Sequence, residues 1–555
     1  MRRVLAALPF TLLAASSPLR GEADRPEDDL AAALAGVRGS AVRAHVQFLA
    51  DDLLEGRQPG TRGYEIAARY VASELEGLGL RPGGERGTYF QSVPLLESTL
   101  REGELSLTTK TATAPVSLVA REDYLMSGDA LRLEAEVEAP VLFAGFGVTA
   151  PELHHDDYAG ADVKGKIVAI LSNAPARFPS EQRAHFASLR LKAENAARRG
   201  ASGLLLLRTP EDESRLPWAR IVQTSDGATV RWLLPDGKPE STFPELRGGA
   251  ALSLAGTRKL FASSPVPLDE ALAGAAKGQS TAFPLGVKAR LRSRSEHRHF
   301  TSPNVVGRLP GSDPDLADTY VVLSAHLDHI GVGAPENGDS IYNGAYDNAT
   351  GTAVVLEAAR ALAALRERPR RSILFVFVTS EERGLLGSDY FANRPTVPVE
   401  RIVADVNIDM PLLLYPLGDV VAFGAENSSL DGLVAKAAAQ TGLALSPDFI
   451  PEENVFIRSD QYSFVRRGIP AVFLVPGLKS SDPAADGARA FGEFFARHYH
   501  RPSDDLGLPM DMGSAERFVR ANVLITYAIA SDREAPRWKP GNFFGKTFGQ
   551  ARMGN

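Results

Sequence analysis

Between residues 320 and 476 the chain alternates between short, nearly continuous apolar runs and longer stretches whose apolar residues recur every three or four positions. TYVVLSAH, RSILFVFVTS, RIVADVNID and IPAVFLVPG are too short and too uniformly apolar for surface helices, and they read as buried strands. ATGTAVVLEAARALAAL and ERGLLGSDYFA lie between strands and read as helices. This alternation predicts an α/β fold, a mostly parallel mixed sheet sandwiched by helices.

Before residue 300 the texture differs. Residues from about 28 to 82 read as helical, with AARYVASELEGLGL ending in glycine. FLADDLLEGRQPGTRGYE, just ahead of that helix, is polar and glycine-rich and reads as a surface loop. From about 115 to 285 short β-like runs such as APVLFAGFGV, KGKIVAILS and ASGLLLLRT are separated by polar and proline-rich joints, with LRLKAENAARRG as an amphipathic helix. That segment is expected to be a separate, β-rich inserted domain. The expected division is 1–23 leader, 24–114 first part of the main domain, 115–285 insert, 286–535 main domain and 536–555 a glycine- and aromatic-rich tail on the surface.

Composition narrows the chemistry. A chain of 555 residues suggests two or three domains. A net charge of -7 gives no reason to expect nucleic acid as a partner. With no cysteine, disulfides, thiolate metal sites and a thiol nucleophile are excluded. The start, MRRVLAALPFTLLAASSPLRGEA, has two arginines, a short apolar stretch and a small-residue cleavage site, the anatomy of a secretory signal peptide. No other segment is long and apolar enough to span a bilayer. The expectation is export to the periplasm or the exterior, with no stable membrane insertion.

Ligands of open α/β sheets bind beyond the carboxyl ends of the strands. Here those ends carry His326, Asp328 and His329, then Asp347 before a helix, then Glu381 and Glu382, then Asp409; His498 and His500 follow near the C-terminus. Two adjacent glutamates at the mouth of an apolar strand repel each other and resist desolvation, so a cation beside them is expected as compensation. One could ligate while its neighbour handles a proton. Each residue also has an ordinary reading: a core histidine for His326, an N-cap for Asp347, helix-start acids for Glu381 and Glu382, a turn cap for Asp409, a surface ring for His500. Their recurrence at the ends of one predicted sheet favours a metal site. Imidazole and carboxylate without thiolate suit zinc, and five ligands with one carboxylate shared suit two ions. Asp328 is placed to accept the second imidazole N–H of His326. No G-x-S-x-G or HExxH motif is present.

HLDHIG, YNGAYDNATG, TSEERGLLGS, VNIDM and YHRPSDD, in that order, resemble the signatures of the M28 family of zinc-dependent aminopeptidases, a zinc exopeptidase-like fold. FAGFGV, GKIVAI and KAENAARRGASGLLLL resemble a protease-associated (PA) domain. The resemblance implies that His326 and Asp409 bind one Zn2+, Glu382 and His500 the other, and Asp347 bridges them. It makes Glu381 the general base and Tyr499 a hydrogen-bond donor to the oxyanion. It leaves His329 and His498 outside the ligand set, and it implies peptide substrates. Carboxypeptidase, dipeptidase and glutaminyl cyclase-like acyltransferase chemistry are the alternatives within the fold.

Overall fold

The four apolar runs are strands buried on both faces, Tyr320–His326, Ser372–Val378, Ile402–Asn407 and Ala471–Pro476. All four run parallel, with Tyr320–His326 between Ser372–Val378 on one side and Ile402–Asn407 on the other. The chain therefore winds first one way and then the other from this central strand. The crevice where that direction changes lies beyond its carboxyl end, at His326. Asp419–Phe423 joins antiparallel beside Ala471–Pro476, and the end of the long Phe283–Leu309 strand closes the other edge of the parallel set. In the computed structural model the chain is described over residues 26–109, 116–225, 227–279, 282–453 and 455–549; the expected leader lies outside them.

Helices cover both faces, as two-sided burial of the strands requires. Gly39–Leu49, Arg62–Gly77, Thr350–Ala363 and Met512–Ser531 share one large core with one face of the sheet. Leu386–Asn393 and Gln461–Val465 cover the other, through Phe391, Ala392 and Phe464. No described helix is long and apolar enough to cross a membrane.

The segment from about 116 to 282 has its own core, in which Leu105, Val141, Phe143, Ile167, Leu205, Leu252 and Leu291 meet. Its strands Glu134–Phe143, Ile167–Leu171, Gly203–Leu207 and Gly249–Leu252 are parallel neighbours. The link to the main core is a ribbon of two long antiparallel strands, Phe90–Thr109 and Phe283–Leu309, registered from Phe90 opposite Val305 to Thr109 opposite Val287. One hydrogen-bonded sheet thus runs through both cores.

Two expectations about exposure are corrected. The FLADDLLEGRQPGTRGYE segment is not a surface loop: Leu54, Gly56, Arg57 and Gly63 are buried. Its glycines let backbone approach backbone. At Gly56, with φ +66°, a Cβ would collide with the carbonyl of Tyr342, and at Gly63 with that of Leu54. Nor do residues 536–549 simply lie on the surface as a tail. Trp538 donates to the Gly468 carbonyl at 2.9 Å. Phe544 is fully buried in a cluster with Phe423, Phe456, Tyr462 and Phe473. Phe543 and Phe548 meet the His185 ring, on the Ser180–Ala187 helix of the inserted segment, at 5.3 and 5.5 Å. The aromatic content that suggested an exposed tail is what docks it. Phe544→Ala should cost about 3–5 kcal/mol, because the cavity cannot collapse among large rings; urea denaturation of the two proteins measures it, and a loss below about 1 kcal/mol would mean the segment is not docked.

Candidate functional site

His326 is the last residue of the central strand. Asp347 lies in the turn before the Thr350–Ala363 helix, and Glu381 and Glu382 follow Ser372–Val378 after two residues. Asp409 lies two residues beyond Ile402–Asn407, and His500 three beyond the Gly487–Arg497 helix. The fold brings them together. His326 Nε2 is 3.0 Å from Asp409 Oδ1 and 3.3 Å from Asp347 Oδ1. His500 Nε2 is 3.2 Å from Asp347 Oδ2 and 3.2 Å from Glu382 Oε2. Each Asp347 oxygen thus faces a different histidine.

These spacings fit metal ligation. Two ligands ~2.0–2.1 Å from one zinc ion at the tetrahedral angle stand ~3.3 Å apart. The imidazole–carboxylate pairs meet that spacing. Among the described residues two groups of possible ligand atoms are compact enough for an ion, His326 with Asp347 and Asp409, and His329 with Asp347 and Glu382, so Asp347 is common to the two. His329 is also in the cluster, with Nδ1 2.6 Å from Glu382 Oε1. Among the described residues neither of those two buried atoms has a hydrogen-bond partner, so His329, which the resemblance leaves outside the ligand set, stands among the possible ligands here. His498 instead bonds the Ser503 carbonyl at 3.0 Å.

The surrounding polar groups fix these side chains. Asp504, within the YHRPSDD motif, accepts the amides of Tyr346 and Asp347 at 2.9 and 3.0 Å. Asn348 ties the Asp347 turn to the Asp409 loop, accepting from Met410 at 3.1 Å and donating to Ile408 at 3.0 Å. Ser459 donates to Asp409 Oδ2 at 2.7 Å. Ser380, Met410 and His500 all have positive φ (58°, 44° and 55°), each at or next to a predicted site residue. Left-handed non-glycine residues cost about 1–3 kcal/mol and persist where their surroundings over-determine them.

Asp328 departs from expectation. Its carboxylate is 4.0 Å from His326 Nδ1, which instead bonds the Asp328 carbonyl at 3.1 Å. The carboxylate turns toward the glutamates and accepts their amides, Glu381 at 3.1 Å and Glu382 at 3.4 Å. Two main-chain donors satisfy a buried carboxylate better than one distant imidazole. The Asp328 side chain thus contacts the glutamate turn rather than bonding the His326 ring.

Electrostatics separates the two glutamates. Burial pushes Glu381 well above the usual carboxyl range; His326 opposes this, while Glu382 and Asp409 reinforce it. Burial would raise Glu382 too, but the His500 and His329 rings hold it well below. Tyr499 stacks on His500, with centroids 3.9 Å apart. Burial and the charges of Asp347 and Glu382 push its phenol well above 10, so it remains a donor. Sequence reasoning singles out no role for Asp504 or Asn348, although YHRPSDD and YNGAYDNATG, which contain them, are a signal for both.

Residues 304–525 match peptidase family M28. A probable leucine aminopeptidase 2 from Aspergillus fumigatus is 27% identical over 262 residues, 45% of this chain and 49% of the relative. Leupeptin-inactivating enzyme 1 from Streptomyces exfoliatus is 29% identical over 213 residues, 37% of this chain and 44% of the relative. The chain thus spans about half the length of these curated relatives or less. In fold it resembles an aminopeptidase from Aneurinibacillus sp. strain AM-1, with a TM-score of 0.50 and 19% identity over 91% of this chain and 97% of that one.

Proposed function

We propose, from the match of residues 304–525 to peptidase family M28, that the chain is an exported zinc-dependent aminopeptidase. It removes N-terminal residues from peptides, residues 1–23 serve as its signal peptide, and residues 115–285 form a PA-like insert in a peptidase domain made of 24–114 and 286–535. The observation that carries this reading is Asp347, whose two oxygens face His326 at 3.3 Å and His500 at 3.2 Å. A carboxylate so shared between two imidazole-carboxylate groups suits a pair of divalent ions, one held by His326 and Asp409, the other by Glu382 and His500.

Zinc bound there would acidify water and polarise a peptide carbonyl. Glu381 then serves as the proton carrier, taking a proton from the attacking water and delivering it to the leaving amine. Its amide, bonded to Asp328, fixes where the carboxylate starts. Tyr499 donates its hydroxyl proton to the oxygen on which charge develops, and burial keeps that proton in place. Glu382 stays ionised as a ligand, with its outer oxygen against His329.

Metal analysis of purified protein, combined with a panel of amino-acid p-nitroanilides, tests the reading. About two zinc ions per chain are expected. Hydrolysis should stop with chelator, return with zinc, and vanish when the substrate amine is acetylated. Cleavage of the acetylated substrates would point to recognition of the carboxyl end instead.

A further inference from the structure

The GRQPGT segment, in which Gly56, Arg57 and Pro59 are buried, has no part in the reading above, yet its arginine reaches into the site's framework. Arg57 is fully enclosed. Its guanidinium donates to four main-chain carbonyls: Leu49 at 2.5 Å, Asn343 at 2.6 Å, Leu327 at 2.9 Å and Gly344 at 3.0 Å. Among the described residues no carboxylate touches it, which is unusual for a buried cation. Leu327 lies between His326 and Asp328, and Gly344 begins the turn that carries Asp347. The contact is reciprocal. The Arg57 carbonyl accepts the His329 amide at 3.4 Å. The Asn343 side chain reaches back to the Ala50 carbonyl at 2.9 Å and to Asp52 at 2.8 Å. Gly344, at φ +59°, sits so close to the His329 ring that a Cβ would come within 2.5 Å of it. The N-terminal segment thus clamps the loop after the central strand against the turn before the Thr350–Ala363 helix.

We propose that Arg57 is a positioning residue of the metal centre: its planar fork sets the separation of the His326 loop and the Asp347 turn, so that the two side chains face one another before any ion arrives. The inference rests on the zinc-peptidase reading and extends it to a residue some 270 positions before the ligands it serves. Lysine is the informative replacement. It is the nearest cationic substitute, but it cannot span four carbonyls in one plane. What changes is geometry.

The test measures zinc affinity of metal-free wild type, Arg57→Lys and Arg371→Lys by competition with a chromophoric chelator, with near-UV circular dichroism as the check on folding. Arg371 is the control. It is buried at the opposite ends of the same strands, donating to Thr319 at 2.6 Å and the Arg533 carbonyl at 2.9 Å. Arg57→Lys should bind zinc about 10–100-fold more weakly, the usual cost of losing support behind a metal ligand, while Arg371→Lys binds as wild type does, whatever its melting temperature. A variant at 57 that folds only after zinc is added also supports the proposal, because the ion then does the work of the fork. A folded Arg57→Lys with unchanged affinity overturns it; so does one that stays unfolded with zinc, or an Arg371→Lys that loses as much affinity. If wild type itself holds no zinc, the underlying zinc reading fails, which is a separate result.

Discussion

Replacing Asp347 by alanine is expected to empty both metal positions and bring peptide hydrolysis below detection. Its two oxygens are the common element of the two proposed ligand groups, one facing His326 and the other His500. Removing a carboxylate at the edge of one group leaves the other intact, whereas removing the shared one leaves each histidine with a single carboxylate partner. Losing support behind a ligand already costs about 10–100-fold in affinity, and loss of a ligand itself should exceed that at both positions. Asp409→Ala is the matching comparison. Asp409 pairs with His326 alone among the histidines, so that variant should keep about one ion per chain. Metal content after dialysis measures both. Equal retention by the two variants would mean that Asp347 is not shared.

Glu381→Gln should instead keep the metals and lose the chemistry. Glutamine preserves the side chain's size and its main-chain bond to Asp328, but it cannot accept a proton. General acid–base groups contribute about 10²–10⁴-fold, and a thousandfold loss in kcat corresponds to about 4 kcal/mol of barrier. We expect a loss of that order, with little change in KM and zinc content equal to wild type. Because Glu382 is expected to act as the ligand, Glu382→Gln should show the reverse ranking, with metal lost first. A Glu381→Gln enzyme within tenfold of wild type would assign the proton transfer to another group.

The inserted segment bears on the same site from outside. Arg220, on its Trp218–Thr224 helix, donates to the Tyr499 carbonyl at 3.1 Å. The aromatic contacts of Phe543 and Phe548 with His185 tie the C-terminal segment to the same body, and burial lowers the His185 imidazole to about 4, so it packs there as a neutral ring. The insert is thus braced against the rim that carries Tyr499 and His500.

What could be read along the chain was whatever depends on a residue's own chemistry and its near neighbours. The apolar runs became strands because a segment buried on both faces must be apolar throughout, a property carried within seven residues. The histidines and carboxylates announced themselves because a charge at the mouth of such a strand needs an explanation wherever the rest of the chain goes. Exposure was misjudged at the GRQPGT segment and at the C-terminal aromatics, where polarity and glycine suggested solvent.

Only the tertiary structure decided how those pieces support one another. Asp328 serves the glutamate turn because two amides came closer to it than one imidazole did. Arg57 serves the site through carbonyl oxygens of Leu49, Leu327, Asn343 and Gly344. Every residue has a carbonyl, so such partners leave no mark on the one-dimensional pattern; they become specific only when folding brings distant backbone within reach of one buried cation.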